Sequence, residues 1–193
     1  MGARSGGGGG ASGGMGSGAG GAGKASRELL NAIQSGRFDK MSYAQQDRLL
    51  EAADKEASKL TENRTIYTDK EWDAIKAYEG SHYDRINAAA SGTNVSRVHE
   101  QTKETIKHLE SAVGRRTLKK DIIVWRGSST EEKTSGRFFS TSLKASVAKK
   151  FSEGTHLHAY RIPKGTKYMY TEAKGEFEVV LPRNFNFNKY KIK

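Results

Sequence analysis

Cysteine is absent from this 193-residue chain, which excludes disulfides and thiolate chemistry and fits a reducing compartment without requiring one. No run approaches the roughly eighteen apolar residues of a membrane span, and the N-terminus lacks the continuous apolar stretch of a classical export signal. The start MGARSG departs from the myristoylation pattern at Gly6, where Ser or Thr is expected. Hydrophobic residues make up 35% of the chain, low for a compact domain, so part of it is expected outside the core. Acidic residues are also scarce: 22 Asp and Glu face 33 Lys and Arg, a formal charge of +11. That surplus favours nucleic acid, an acidic protein face or an anionic cofactor as partner and says nothing about fold.

Much of the missing apolar content is accounted for by residues 1–24, which are mostly Gly, Ala and Ser. Such a composition cannot bury enough surface to offset the entropy of ordering, and it reads as a flexible tether. It is no phosphate loop, since neither Gly-Lys-Ser nor Gly-Lys-Thr follows and no strand precedes it.

Beyond it the pattern is helical. Ser26–Gly36 reads as a short helix stopped by glycine and Met41–Leu60 as a longer amphipathic one. Thr68 and Glu71 have the spacing of a capping box for a helix ended by Gly80, with Trp72, Ile75 and Tyr78 as its buried stripe. SHYDRINAAA continues as a short helix, and Asn94–Val113 carries apolar residues at the helical period. After Lys120 the pattern changes to short strands: DIIVWRG, GRFFSTSL, THLHAYRIP, TKYMY, EFEVVLP and NKYKIK. One helix, KASVAKKF, interrupts them. Helices first and strands after imply an α+β fold, with residues 25–65 as a helical extension ahead of a main domain over 66–193.

Several polar side chains sit oddly in this strand half. Arg126 ends an apolar strand and precedes Gly127, whose missing side chain lets a ligand approach the backbone. Ser140, Thr141 and Ser142 interrupt an apolar strand, and alternation places Ser140 and Ser142 on the face of Phe138. Glu176 and Glu178 lie one residue apart, so in a strand they share a surface while Phe177 and Val179 point the other way. Taken singly, each is compatible with a solvated strand end or face. His156 and His158 also share a strand face, but no third ligand at a plausible distance is evident, so no metal site is expected.

The segments VWRG, FFSTSL and EFEVVLPRN resemble the arginine, Ser-Thr-Ser and Glu-x-Glu motifs of the R-S-E class of mono-ADP-ribosyltransferases. That class includes catalytic components of bacterial binary toxins and enzymes that bacteriophages carry into their hosts. Upstream, AYEGSHYDRIN is similar to the Tyr- and Asn-bearing helix that lines the NAD site in those exoenzymes. The resemblance runs from Tyr67 to Lys193, which makes 66–193 the catalytic domain, with helices packed on a mixed or antiparallel β-sandwich core.

The resemblance implies NAD as substrate and a role for each residue. Glu178 is the catalytic glutamate, supporting the oxocarbenium-like ribose left as nicotinamide departs. Arg126 grips phosphate and ribose oxygens, and Gly127 offers its backbone to the nicotinamide amide. Ser140 holds the ribose and orients Glu178, while Thr141 and Ser142 support the strand. Tyr83 and Asn87 wrap the pyrophosphate and adenosine side; Tyr78 reads as core.

Glu176 faces the acceptor, and a glutamate there points to arginine, whose guanidinium needs a neighbouring carboxylate to become nucleophilic. The turn over Lys167–Glu176 resembles the substrate-recognition turn, with Tyr168 and Tyr170 earlier than the aromatic of many relatives. A monomer is implied, acting in the cytoplasm of a host or target cell on a protein acceptor that is acidic or RNA-associated, after delivery by a virion or secretion system. An NAD glycohydrolase, a transferase acting on RNA and a non-catalytic basic nucleic-acid-binding module remain alternatives.

Overall fold

The structure, a computed structural model, describes residues 22–92, 98–128, 136–152, 156–172 and 175–192. Local hydrogen bonds set where its helices begin and end. Helix α1 (Lys24–Gln34) is followed by Gly36 at φ 66°, a left-handed stop. Its first turn is capped from outside by the Glu56 carboxylate, which accepts from the N–H groups of Ala25 and Ser26 at 2.9 and 2.8 Å. Reciprocal capping boxes open α2 (Tyr43–Lys55), through Ser42 and Gln45, and α3 (Asp69–Glu79), through Thr68 and Glu71. Two more helices follow, α4 (Tyr83–Ala90) and α5 (Glu100–Gly114). The helix expected from Asn94 starts only at Glu100, and residues 93–97 lie outside the described residues.

Strands β1 (Arg116–Thr117), β2 (Ile122–Ser128), β3 (Phe139–Ser142), β4 (His156–Ile162), β5 (Lys167–Thr171) and β6 (Glu178–Leu181) form one sheet in the order β1-β5-β6-β3-β2-β4. Every pairing is antiparallel. Helix α6 (Ala145–Lys150) interrupts them as expected. The fold is therefore α+β, with a single antiparallel sheet at the centre of the described residues.

Two strand expectations change. NKYKIK is not a strand: the Asn186 side chain accepts from the Lys189 N–H and winds Phe187–Tyr190 into a 3-10 turn. That turn drives Phe187 into the core, its ring 4.3 Å from that of Phe139, and leaves one isolated bridge between Lys191 and Tyr160. EFEVVLP is a strand only from Glu178, because Phe177 adopts φ 50° and breaks the extended backbone.

Alternation along the strands sorts the core by face. On one face Val124, Phe139, Ile162, Tyr170, Val179 and Leu181 meet in a single cluster plugged by Phe187. The opposite face is shared between two helical layers. Met169, Val180 and Phe138 pack with Ile75 and Tyr78 of α3, Ile86 of α4 and Leu109 of α5. Trp125, Leu157 and Ala159 pack instead with Leu29 and Leu30 of α1, Leu50 of α2 and Ala148 of α6. The helices expected as an extension over 25–65 thus lie directly on the sheet. Of the tether expected over 1–24, residues 1–21 lie outside the described residues and Lys24 already belongs to α1.

Glu71 fastens α3 to α5. Only 1% exposed, it accepts from Ser111 Oγ at 2.5 Å, Arg115 Nε at 3.0 Å and the Thr68 N–H at 2.7 Å. Burial pushes its carboxyl up, but the bonds from Ser111, Thr68 and Arg115 outweigh it and hold the group down at about 2. A depressed folded-state pKa stabilises above the unfolded value of 4.5 and is lost as pH falls towards 2. Glu71→Ala is therefore expected to lower stability by about 2–4 kcal/mol at neutral pH. The deficit should narrow below pH 4.5, as read by urea unfolding at a series of pH values.

Candidate active site

Between the two helical layers a strip of the sheet face is left uncovered. A cavity of ≈ 350 Å³ opens there, inside the range of about 300–1,000 Å³ common to small-molecule sites. The end of α3 and the start of α4 supply one wall through Tyr78, Glu79, Gly80 and Tyr83; α6 and the residue after it supply the other through Val147, Ala148 and Phe151. Trp125, Gly127, Ser140, Ser142 and Glu178 reach it from the strands.

The three consecutive hydroxyls divide the work of holding β6. Ser140 Oγ donates to Glu178 Oε1. Thr141 Oγ1 donates to the Val179 carbonyl at 2.8 Å, and Ser142 Oγ donates to the Glu176 carbonyl at 2.7 Å while accepting from the Lys144 N–H. Ser142 and Glu178 are register partners, so the turn before β6 is pinned where the acid enters the sheet. Arg126 Nη1 donates to the Ser140 carbonyl, and its guanidinium carbon lies 5.0 Å from the Phe139 ring centroid.

Glu178 is 9% exposed. Burial is the largest influence on its carboxyl and raises it; the Ser140 hydrogen bond lowers it, Glu176 and Glu79 raise it, and Arg126 lowers it, leaving it at about 7. Glu176 also lines the cavity, but it does not share a strand with Glu178. The two acids are aimed by Phe177, a non-glycine residue in the left-handed region, a conformation costing about 1–2 kcal/mol and characteristic of functional sites. Phe177 still turns away from the cavity to pack with the Val179 cluster, under the Lys144 ammonium at 3.6 Å.

The remaining expected residues separate. Tyr83 lines the cavity, its ring 5.1 Å from that of Tyr78; Tyr78 is both core and wall. Asn87 is 3% exposed and outside the lining. Its amide accepts from the Phe138 N–H at 3.0 Å and donates to Tyr78 Oη at 3.4 Å, tying α4 to α3 and to the residue that leads into β3. Gly127 lines the cavity, but its missing side chain is required by the protein itself: a Cβ would meet the Ala148 carbonyl at 2.0 Å and the Ser152 nitrogen at 2.7 Å.

His156 and His158 stack on one another, ring centroids 5.8 Å apart, and among the described residues no group of three His, Cys, Asp or Glu is placed to hold a metal ion. The tip of the expected recognition turn, residues 173 and 174, lies outside the described residues. Among the described residues no helix is long and apolar enough to cross a membrane.

Sequence reasoning missed Glu79 and the α6 wall. Glu79 Oε1 accepts from Thr171 Oγ1 and Oε2 from Lys76 Nζ at 2.8 Å. Its only signal in the sequence is an acid directly before the glycine that ends α3, which is also an ordinary surface pattern.

The family model described as ADP-ribosyltransferase exoenzyme matches residues 37–135, just over half of the chain. The chain belongs to the ADP-ribosyltransferase exoenzyme family. The matched span includes Tyr83, Asn87, Arg126 and Gly127 and stops before Ser140. Solved structures of this exoenzyme type share the fold. Plx2a, an ADP-ribosyltransferase toxin from Paenibacillus larvae, is 19% identical with a TM-score of 0.52, covering 62% of this chain and 75% of its own. Exoenzyme S from Pseudomonas aeruginosa, in complex with human 14-3-3 protein beta and bound to Carba-NAD, is 20% identical with a TM-score of 0.51, covering 61% and 63%. The enzymatic component C2-I of the C2 toxin from Clostridium botulinum is 16% identical with a TM-score of 0.51, and this chain, 61% covered, spans only 36% of that length. No curated protein sequence matches the chain.

Two substitutions probe this geometry. With its folded-state pKa raised from 4.5 to about 7, Glu178 costs stability as pH rises through that window, up to about 3 kcal/mol above it. Glu178→Gln is therefore expected to melt higher than wild type at pH 8 and level with it near pH 4.5; parallel melting curves at all pH values would refute the burial argument. Gly127→Ala should lower the melting temperature through displacement of α6, a loss of about 1–3 kcal/mol or more.

Proposed function

We propose that the chain is an NAD-dependent mono-ADP-ribosyltransferase of the R-S-E class that moves ADP-ribose from NAD to an arginine of a protein and releases nicotinamide. The observation that carries this reading is the meeting of Arg126, Ser140 and a buried Glu178, from three strands, in one cleft. The Carba-NAD bound by Exoenzyme S, a protein of the same fold, supports NAD as the donor. The catalytic unit is assigned to 66–193, with the helices of 25–65 as its buttress against β2 and β4.

The C1–nitrogen bond of the nicotinamide ribose breaks with its electron pair going to nicotinamide, which leaves neutral. Positive charge then develops on the ribose, and Glu178, held by Ser140, stabilises it more strongly in the transition state than in the ground state. Ionised Glu178 is required, and the cationic nicotinamide ring entering beside it favours that state. Arg126 anchors the donor's phosphates or ribose, a task suited to a planar guanidinium fork that keeps its charge. Glu176 takes the proton from the attacking guanidinium nitrogen as the new bond to C1 forms. As for an exoenzyme, the acceptor would lie inside a host or target cell.

Labelled NAD added with a host lysate tests this. Wild type should transfer label to protein; the label should survive nuclease and be released by hydroxylamine, as an arginine linkage is. Glu178→Gln should lose at least about a hundredfold, and transfer should rise with pH through about 7 as Glu178 ionises. Nicotinamide released without labelled protein would assign a glycohydrolase instead, and wild type inert towards NAD would end the proposal.

A further inference from the structure

The proposed reaction leaves one buried acid on the cavity wall unused. The Glu79 side chain is 7% exposed, a placement that a charge tolerates only with partners around it. Lys76, three residues earlier on the same helix and with a side chain 50% exposed, bonds one of its oxygens at 2.8 Å while also lying over the Trp72 ring, 4.6 Å from its centroid. Its other oxygen receives the hydroxyl of Thr171, and Thr171 is the register partner of Glu178. Glu79 is therefore braced beside the catalytic acid and ahead of the turn that delivers Glu176.

Charge makes the arrangement specific. In a chain of formal charge +11, the cavity wall carries, among the described residues, three acids, Glu79, Glu176 and Glu178, and one base, Arg126. The basic surplus gathers elsewhere, as in the hollow lined by Lys59, Arg116, Lys119 and Lys120. Carboxylates gathered round one hollow repel one another, as the upward push of Glu176 and Glu79 on Glu178 records, and a cation arriving from outside relieves that repulsion. A planar guanidinium can engage carboxylates on two sides of the same fork.

Building on the transferase reading, we propose that Glu79 and Glu176 form a two-carboxylate clamp that receives the guanidinium of the acceptor, with Lys76 as the resident cation the guanidinium displaces from Glu79. Glu79 is then a specificity-determining residue, on the α3 wall of the cavity that Glu176 also lines.

Agmatine, a small guanidine, serves as the probe, with binding measured by isothermal titration calorimetry on the full chain without NAD. Wild type should bind it, Glu79→Gln should weaken binding by about tenfold, the scale of one charge-assisted hydrogen bond, and Glu79→Asp should recover part of the loss. The drop in agmatine affinity should exceed any drop in NAD affinity. Lys76→Ala should tighten agmatine binding by about threefold, an effect a merely structural Glu79–Lys76 pair does not produce. Unchanged agmatine affinity in Glu79→Gln, or weaker binding in Lys76→Ala, overturns the clamp. Wild type that releases nicotinamide from NAD but does not bind agmatine overturns the clamp alone; wild type that binds agmatine but leaves NAD intact overturns the transferase reading and leaves the clamp standing.

Discussion

A carboxylate removed from water needs a donor, and here the Ser140 hydroxyl on Glu178 is the bond around which the site is organised. It sits at the junction of β3 and β6, where the register must be held, since a slip of one residue would turn Glu178 into the core cluster and Val179 into the cleft. Thr141 and Ser142 prevent that slip by bonding backbone carbonyls of the neighbouring segment. The left-handed Phe177 belongs to the same constraint: an extended residue there would continue the strand through Glu176 and take it away from its present bend. Strain at 177 and desolvation at 178 are thus two local costs of placing acids in this cleft, offset by the aromatic and aliphatic cluster behind them.

The cleft exists because the sheet is covered unevenly. Helices α3, α4 and α5 seal the β5-β6-β3 side and α1, α2 and α6 the β2-β4 side, each through its own apolar cluster. Neither layer reaches across. Gly127 shows how tightly the second is seated, with α6 backbone occupying the space a side chain would take. Asn87 does comparable work for the first, joining α4 to the backbone at Phe138. Asn87, which reads as ligand-binding in the sequence, thus fastens one wall of the site, and Gly127 makes room for the other.

Elements governed by neighbours in the chain were legible beforehand. The Thr68–Glu71 capping box needs only four consecutive residues, and the apolar runs of β2 and β5 announce themselves by β-branched and aromatic content. Arg126, Ser140, Glu176 and Glu178 could be singled out because polar groups interrupt apolar strands, and all four line one cavity. What depends on distant packing was not legible. NKYKIK alternates like a strand, yet Asn186 offers its own backbone a turn, and the sheet supplies a single bridge there. Nothing near Phe177 marks it for positive φ. Glu79 acquires meaning only once α3 ends against Thr171, ninety-two positions away in sequence.

The order of strands has a bearing on how such a protein comes into being. β6, the last strand in sequence, is not at an edge: it lies between β5 and β3. Until it emerges, the two sides of the sheet have no shared ladder, and Ser140 waits for a partner encoded 38 residues further on. Translation proceeds from the N-terminus, so a ribosome-bound copy displays the arginine and serine with an empty slot where the acid belongs. The polypeptide is thereby chemically incomplete throughout most of its own synthesis, and the same insertion that completes the sheet also completes the site.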